Sequence, residues 1–144
     1  YTGSDTAQIT RAFTANYANK ADPDLQDFGE INLRSEQGTG YIRVDWFTPD
    51  ALPTWGDGRL TILGTEGYLE LRKYVDVGGR KGTDHLILVN QSKSEKIDAS
   101  GAGLPYFSRL AYDIEHRSET AMSQVHCFTV MELALRAQQM AELE

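Results

Sequence analysis

The spacing of apolar residues changes period once along this chain, and that change limits the fold more than any motif does. Up to about residue 100 apolar and polar side chains alternate, as strands require; beyond it they recur at three and four, as helices require. Ile9, Phe13, Ala15 and Tyr17 alternate with Thr10, Ala12, Thr14 and Asn16, a strand pattern. Segments 28–36 and 39–48 join near Gln37-Gly38. Each has one apolar face: Ile31 and Leu33 in the first, Ile42, Val44 and Trp46 in the second. Further strands are expected at about 59–63, 67–75, 84–90 and 94–98, between Gly-rich turns. Lys20–Asp24, Pro49–Trp55 and Gly101–Pro105 read as loops from their Pro, Gly and Asp content.

In the last third, Phe107, Leu110, Ala111 and Ile114 fall at i, i+3, i+4 and i+7, the stripe of an amphipathic helix. A second helix is expected from Thr120, as N-cap, to about Leu143; it contains no Gly or Pro. Val130, Leu133, Ala134, Ala137 and Met140 make one apolar face, while Phe128, Met131 and Leu135 point elsewhere, so this helix should pack on more than one side. Strands first and helices last predict a single α+β domain over residues 1–144. Its expected form is an open, mostly antiparallel sheet with helices on one face.

Charge and cysteine content narrow the function classes. A net charge of −7, with no basic stretch interleaved with aromatics, argues against nucleic acid or an anionic membrane surface as partner. No apolar run approaches the roughly 18 residues of a membrane span. Cys127 is the only cysteine, so no intrachain disulfide can form, and a cytoplasmic location is expected. The chain opens on Tyr1-Thr2-Gly3 rather than Met, which reads as a cut through a longer protein.

The middle of the chain, "TWGDGRLTILGTEGYLELRKY", holds four glycines and poses the question of a phosphate loop. A dinucleotide fingerprint needs G-x-G-x-x-G and then a helix whose N-terminus meets the pyrophosphate. After Gly56-Asp57-Gly58 the third glycine position holds Thr61, and Leu60–Leu63 reads as a strand. Gly64-Thr65-Glu66-Gly67 instead has hairpin length. Gly79-Arg80-Lys81-Gly82-Thr83 scrambles the order of a Walker loop and is also a turn. No metal motif involves His85, His116 or His126. Asp113 and His116 share a helix face, a spacing that fits a helix-end hydrogen bond better than a metal site. His126 and Cys127 point about 100° apart on a helix and make no nucleophile pair. No catalytic residue and no metal ligand is assigned in this chain.

One sheet face is richer than solvent exposure demands. Phe28, Tyr41, Arg43 and Phe47 from the second and third strands, and Tyr68, Arg72 and Tyr74 from the strand at 67–75, mix aromatics with charge. Aromatics and Arg are enriched at interfaces, so this face is the expected oligomer contact.

The segments "DFGEINL", "YIRVDWFTPDALPTWGDGRLTILGTEGYLELRKYVD", "DHLILVN" and "YDIEHRSETAMSQVHCFTVMELALRAQQMA" resemble the C-terminal domain of the Gfo/Idh/MocA family, NAD(P)-dependent sugar and polyol oxidoreductases. The resemblance covers essentially the whole chain. It implies an N-terminal Rossmann domain that holds NAD or NADP and a catalytic lysine, outside this sequence. It also implies an Asp/His pair on a linking helix of which Tyr1-Thr2-Gly3 would be the end. This chain alone would then bind no cofactor and be inactive. The implied partners are the Rossmann domain, further copies of the chain meeting through the sheet face, and a sugar or polyol substrate. The loop 48–59 would reach toward the substrate, with Trp55, Asp57 and Arg59 as substrate-adjacent residues and His116 and Arg117 as weaker ones. The alternative is a free-standing β-sheet module for binding or assembly with no catalytic role.

Overall fold

The computed structural model describes residue 4 and residues 6–143. Tyr1–Gly3, read above as the end of a helix, lie outside the described residues. The class is α+β and every strand pairing is antiparallel, but the strands divide into two sheets rather than one. The first holds β1 (Gln8–Ala15), β2 (Phe28–Ser35) and β3 (Gly38–Asp45) in that order; the second holds β4 (Arg59–Gly64), β5 (Gly67–Lys73), β6 (Asp84–Asn90) and β7 (Ser94–Ile97). Two helices follow, α1 (Tyr106–His116) and α2 (Gln124–Ala141). The break falls between β3 and β4, where the link runs through two prolines and has no hairpin turn to pair the strands. The chain accordingly divides into two compact units: the described residues up to Phe47 together with those from Pro105 onward, and Thr48–Leu104.

In the first unit, β1 does not keep the simple alternation of its sequence. Its register with β2 shifts between Ile9 and Arg11, a bulge that leaves Thr10 as the extra residue. Thr10 instead donates its hydroxyl hydrogen to the Asn32 carbonyl, 3.2 Å away. Beyond the bulge the faces exchange: Ala12 pairs with Ile31 on the inner face, and Phe13 pairs with Glu30 on the outer one. α2 lies against β1, and the most buried apolar residues of the two elements are both alanines, Ala12 and Ala137. Small side chains at that contact let helix and sheet approach closely.

Among the described residues α2 does not pack on more than one side, and Val130 and Ala134 of the expected packed face are themselves exposed. Leu133, Ala137 and Met140 are buried or half-buried, whereas Phe128, Met131 and Leu135 are exposed. On α1 the stripe Phe107, Leu110 and Ile114 is also exposed, Phe107 at 77%. The N-cap of α2 is Ser123, not Thr120: the Ser123 hydroxyl accepts from His126 N–H at 3.2 Å. Thr120 is drawn off by Asp113, described below.

In the second unit the Gly64–Gly67 turn closes β4 on β5 in full register. Of the two glycines of this turn, Gly67 has positive φ, at 157°, and its requirement is mainly steric: a Cβ there would sit 2.2 Å from the Val89 carbonyl oxygen. β5 stops at Lys73, short of the expected residue 75, because Tyr74 adopts φ 71° and turns the chain. Tyr74 N–H then bonds the Thr83 carbonyl at 2.6 Å and closes the loop between β5 and β6.

Candidate functional site

The end of the second sheet where β4 begins and β5 stops gathers most of the polar chemistry of its unit. Antiparallel register places Arg59 opposite Arg72 and Arg72 opposite His85, a row across three strands on one face. Two arginines directly opposite would repel. Asp57, just before β4, offsets this with one oxygen. Its Oδ2 accepts from Arg59 Nη2 at 2.6 Å, from Arg59 Nε at 3.1 Å and from Arg72 Nη2 at 2.9 Å. The Arg59 hydrogen bond is the main cause holding the Asp57 carboxyl below its ordinary range, helped by the charges of Arg59 and Arg72 against the cost of burial.

The members of the row differ in exposure. The Arg59 side chain is 66% exposed, whereas those of Asp57 and Arg72 are each 18% exposed. His85 is buried, and its Nε2 lies 3.1 Å from the Gly82 carbonyl oxygen. A carbonyl only accepts, so Nε2 carries a proton in this contact. Three buried atoms here have no hydrogen-bond partner: Asp57 Oδ1, Arg72 Nε and His85 Nδ1. Next to the row, Lys73 N–H bonds the Gly58 carbonyl at 2.8 Å, which ties the loop before β4 to the end of β5. Lys73 Nζ pairs with Asp84 at 2.6 Å; that hydrogen bond pushes the lysine up and the aspartate down.

Trp55, Asp57 and Arg59 thus belong to one locality, with Trp55 85% exposed. Asp57, expected as substrate-adjacent, holds both arginines with one carboxylate oxygen, Oδ2. Sequence reading placed Arg72 on a bare sheet face, whereas Arg72 is half-buried and bonded to Asp57. His85 was passed over. The facing of Arg59 and Arg72 can be counted outward from the Gly64–Gly67 turn. The ten-residue link between β5 and β6 offers no such count for His85.

His116 and Arg117 lie in the other unit. His116 Nδ1 lies 2.9 Å from the Tyr112 carbonyl oxygen, with its ring stacked on Tyr112 at 3.9 Å. Arg117 is the left-handed C-cap of α1, with φ 54°. Asp113 turns to the link between the helices instead of joining His116. Its Oδ1 accepts from the Ser118 hydroxyl (2.7 Å), Thr120 N–H (2.8 Å) and the Thr120 hydroxyl (2.9 Å), and its Oδ2 accepts from Ala121 N–H (2.8 Å). Burial opposes the charge of Asp113, but these donors outweigh it and hold the carboxyl far below its ordinary value. Asp27 is built alike: Tyr17, Ala18 and Asn19 N–H groups donate to it at 2.8–2.9 Å, and they overcome the cost of burial. Among the described residues no group of three or more His, Cys, Asp or Glu is placed to hold a metal ion.

On the outer face of the first sheet, Phe28 and Phe47 stack at 6.3 Å, Tyr17 leans on Phe28 at 5.4 Å and the Arg43 guanidinium covers the Phe28 ring at 5.1 Å. Tyr41, 57% exposed, donates its hydroxyl hydrogen to Glu30 at 3.0 Å. Tyr68 and Tyr74 are exposed on the second unit. An open cleft of about 390 Å³ in that unit is lined by Lys81, Asp84, Lys96, Asp98 and Ser100. Its carboxylates are already engaged, Asp84 by Lys73 and Asp98 by Ser100 N–H. No helix among the described residues is long and apolar enough to cross a membrane.

Neither a protein-family model nor a curated protein matches the chain. A solved structure does: a protein of Erwinia carotovora atroseptica SCRI1043, provisionally described as an oxidoreductase. It is 46% identical over 94% of this chain, with a TM-score of 0.88. The chain spans 41% of that protein's length.

Proposed function

We propose that this chain is the C-terminal, substrate-side and oligomerisation part of an NAD(P)-dependent oxidoreductase of the Gfo/Idh/MocA type. The whole enzyme would move a hydride between nicotinamide and a carbon of a sugar or polyol. The observation that carries the reading is the 46% identity, over nearly all of this chain, to part of a longer protein described as an oxidoreductase. The exposed apolar stripes of α1 and α2 support it, since an amphipathic helix is stable when its stripe is covered.

The glycine-rich segments of this chain do not fit a dinucleotide. Gly56-Asp57-Gly58 leads into β4 and Gly64–Gly67 into β5, so no helix N-terminus stands behind either. In this reading the nicotinamide is bound by a Rossmann domain elsewhere in the polypeptide, and it supplies or takes the hydride. What this chain contributes is the locality of Trp55 and Arg59: an apolar ring for a sugar face and a guanidinium for its oxygens. His116 and Arg117 are secondary contacts. The coding sequence upstream tests the reading. A G-x-G-x-x-G/A fingerprint and a Glu-Lys-Pro motif are expected within about 120–200 residues, one domain length. A start codon directly before Tyr1, or NAD(P)-dependent sugar turnover by the 144-residue chain alone, would overturn it.

The same reading assigns two surfaces to contact between copies, Phe28, Tyr41, Arg43 and Phe47 in the first unit and Tyr68 and Tyr74 in the second, without Arg72, which is bonded to Asp57. Light scattering at micromolar concentration should find an oligomer that Tyr68→Glu or Arg43→Glu weakens. A monomeric parent chain would remove this assignment.

A further inference from the structure

We infer that Arg72 and His85 are positioning residues. They hold the Asp57 carboxylate, and through it the Arg59 guanidinium, in one orientation toward an incoming ligand oxygen. The inference deepens the reading above, on which it rests for the ligand's identity; the geometry stands without it.

An Arg–Asp pair two residues apart on a surface ordinarily has little effect, because two long side chains must be ordered in water. The Asp57–Arg59 pair differs in what stands behind it. Asp57 is mostly buried and is gripped from the inner side by Arg72, itself mostly buried and one strand further in. Arg72 in turn faces His85 across the next strand pair, and His85 is fixed through Nε2 to the Gly82 carbonyl. Exposure falls along this row from 66% for the Arg59 side chain to 18% for Arg72 and 3% for His85. The anchored end is therefore inside and the presenting end outside.

Donor chemistry assigns the direction. Arg59 uses Nε and Nη2 on Asp57 Oδ2, one edge of its planar fork, and no partner for Nη1 is found among the described residues. A guanidinium so held offers its remaining N–H groups to an acceptor oxygen, whether carboxylate, phosphate or hydroxyl. Asp57 is thereby a holder and not a ligand contact. The buried atoms left without a partner, Asp57 Oδ1, Arg72 Nε and His85 Nδ1, all belong to this row. A row of buried polar groups left partly unpaired is costly to the fold and is retained where it orients something.

The test is side-chain NMR relaxation of the Arg59 Nε–H group in the full chain, with the thermal midpoint measured alongside. In the unmodified chain this group should be as rigid as ordered backbone, with an order parameter near ~0.85. Arg72→Lys and His85→Leu should each lower it below ~0.6. Asp57→Asn should do the same while remaining folded. His85→Gln, which keeps a donor for the Gly82 carbonyl, should retain the rigidity. A merely structural role would move the midpoint and leave Arg59 unchanged in every folded variant. Should Arg72→Lys or His85→Leu fail to fold, Asp57→Asn decides alone. An Arg59 already mobile in the unmodified chain, or still rigid in Asp57→Asn, overturns the inference. Either result leaves the oxidoreductase reading standing, because that reading fails on the upstream sequence and not on Arg59.

Discussion

Asp27 and Asp113 in one compact unit and Asp57 in the other are three sequestered carboxylates held in two different ways. The first two accept backbone N–H groups, joined at Asp113 by hydroxyls of its own loop, and both oxygens of each are in use. Asp57 is held by the guanidinium groups of two arginine side chains, with all three bonds on one oxygen and the other without a partner. A carboxylate whose donors are backbone amides fixes the path of the chain. One whose donors are side chains fixes those side chains instead. The contrast separates structural acids from a candidate functional one without any motif.

Three measurements would break or sharpen that contrast, and the largest effect belongs to the amide-held pair. Asp113→Ala leaves the N–H groups of Thr120 and Ala121 without an acceptor and frees the corner between α1 and α2. It should lower the unfolding midpoint by roughly 5–10 °C. Calorimetry that finds no change would refute the structural assignment.

Acid comes next. All three carboxyls are held below their unfolded values, so near and below about pH 4 the unfolded chain binds more protons and stability rises with pH. Their contribution should be complete above about pH 5 and be lost progressively as pH falls through the unfolded value toward the folded ones. In midpoint measurements from pH 2 to pH 6, Asp113→Ala should flatten that slope more than Asp57→Asn does. Equal flattening would erase the distinction.

The smallest expected effect is that of Asp57→Asn itself, about 0.5–1 kcal/mol at neutral pH, because its main partner is an exposed arginine. That loss should shrink at about 1 M salt, where charges are screened within about 3 Å, whereas the Asp113 loss should not. Denaturant unfolding at the two salt concentrations reads both.

Much of this fold was legible in the residues, and the gaps have physical causes. Strand positions and the Gly64–Gly67 hairpin follow from period and turn chemistry, and they came through with ends moved by up to three residues. The division into two sheets was not legible, because alternation marks a strand without naming its neighbour. The true cap of α2 was missed because Thr120 and Ser123 both suit an N-cap, and the winner depends on Asp113 reaching across from α1. At the candidate site Trp55, Asp57 and Arg59 are singled out by type and place, and the fold brings Asp57 and Arg59 into contact. Arg72 and His85 were not given their part because burial and cross-strand register belong to the folded chain. Asp27 carries no signal beyond standing just before β2.

The bulge at Thr10 has a bearing on how this chain can change over time. It acts as a phase shift in a two-beat pattern, putting Ala12 rather than Phe13 under the helix and sending Phe13 to the aromatic side, 6.3 Å from Phe28. Removing that one residue would set Ile9, opposite Leu33, directly before Arg11, opposite Asn32, an unbroken alternation that leaves the side chains on both flanks on the faces they now occupy. Position 10 is therefore the place in β1 where the chain can lose a residue and keep its sides, whereas a loss at any paired position would exchange them.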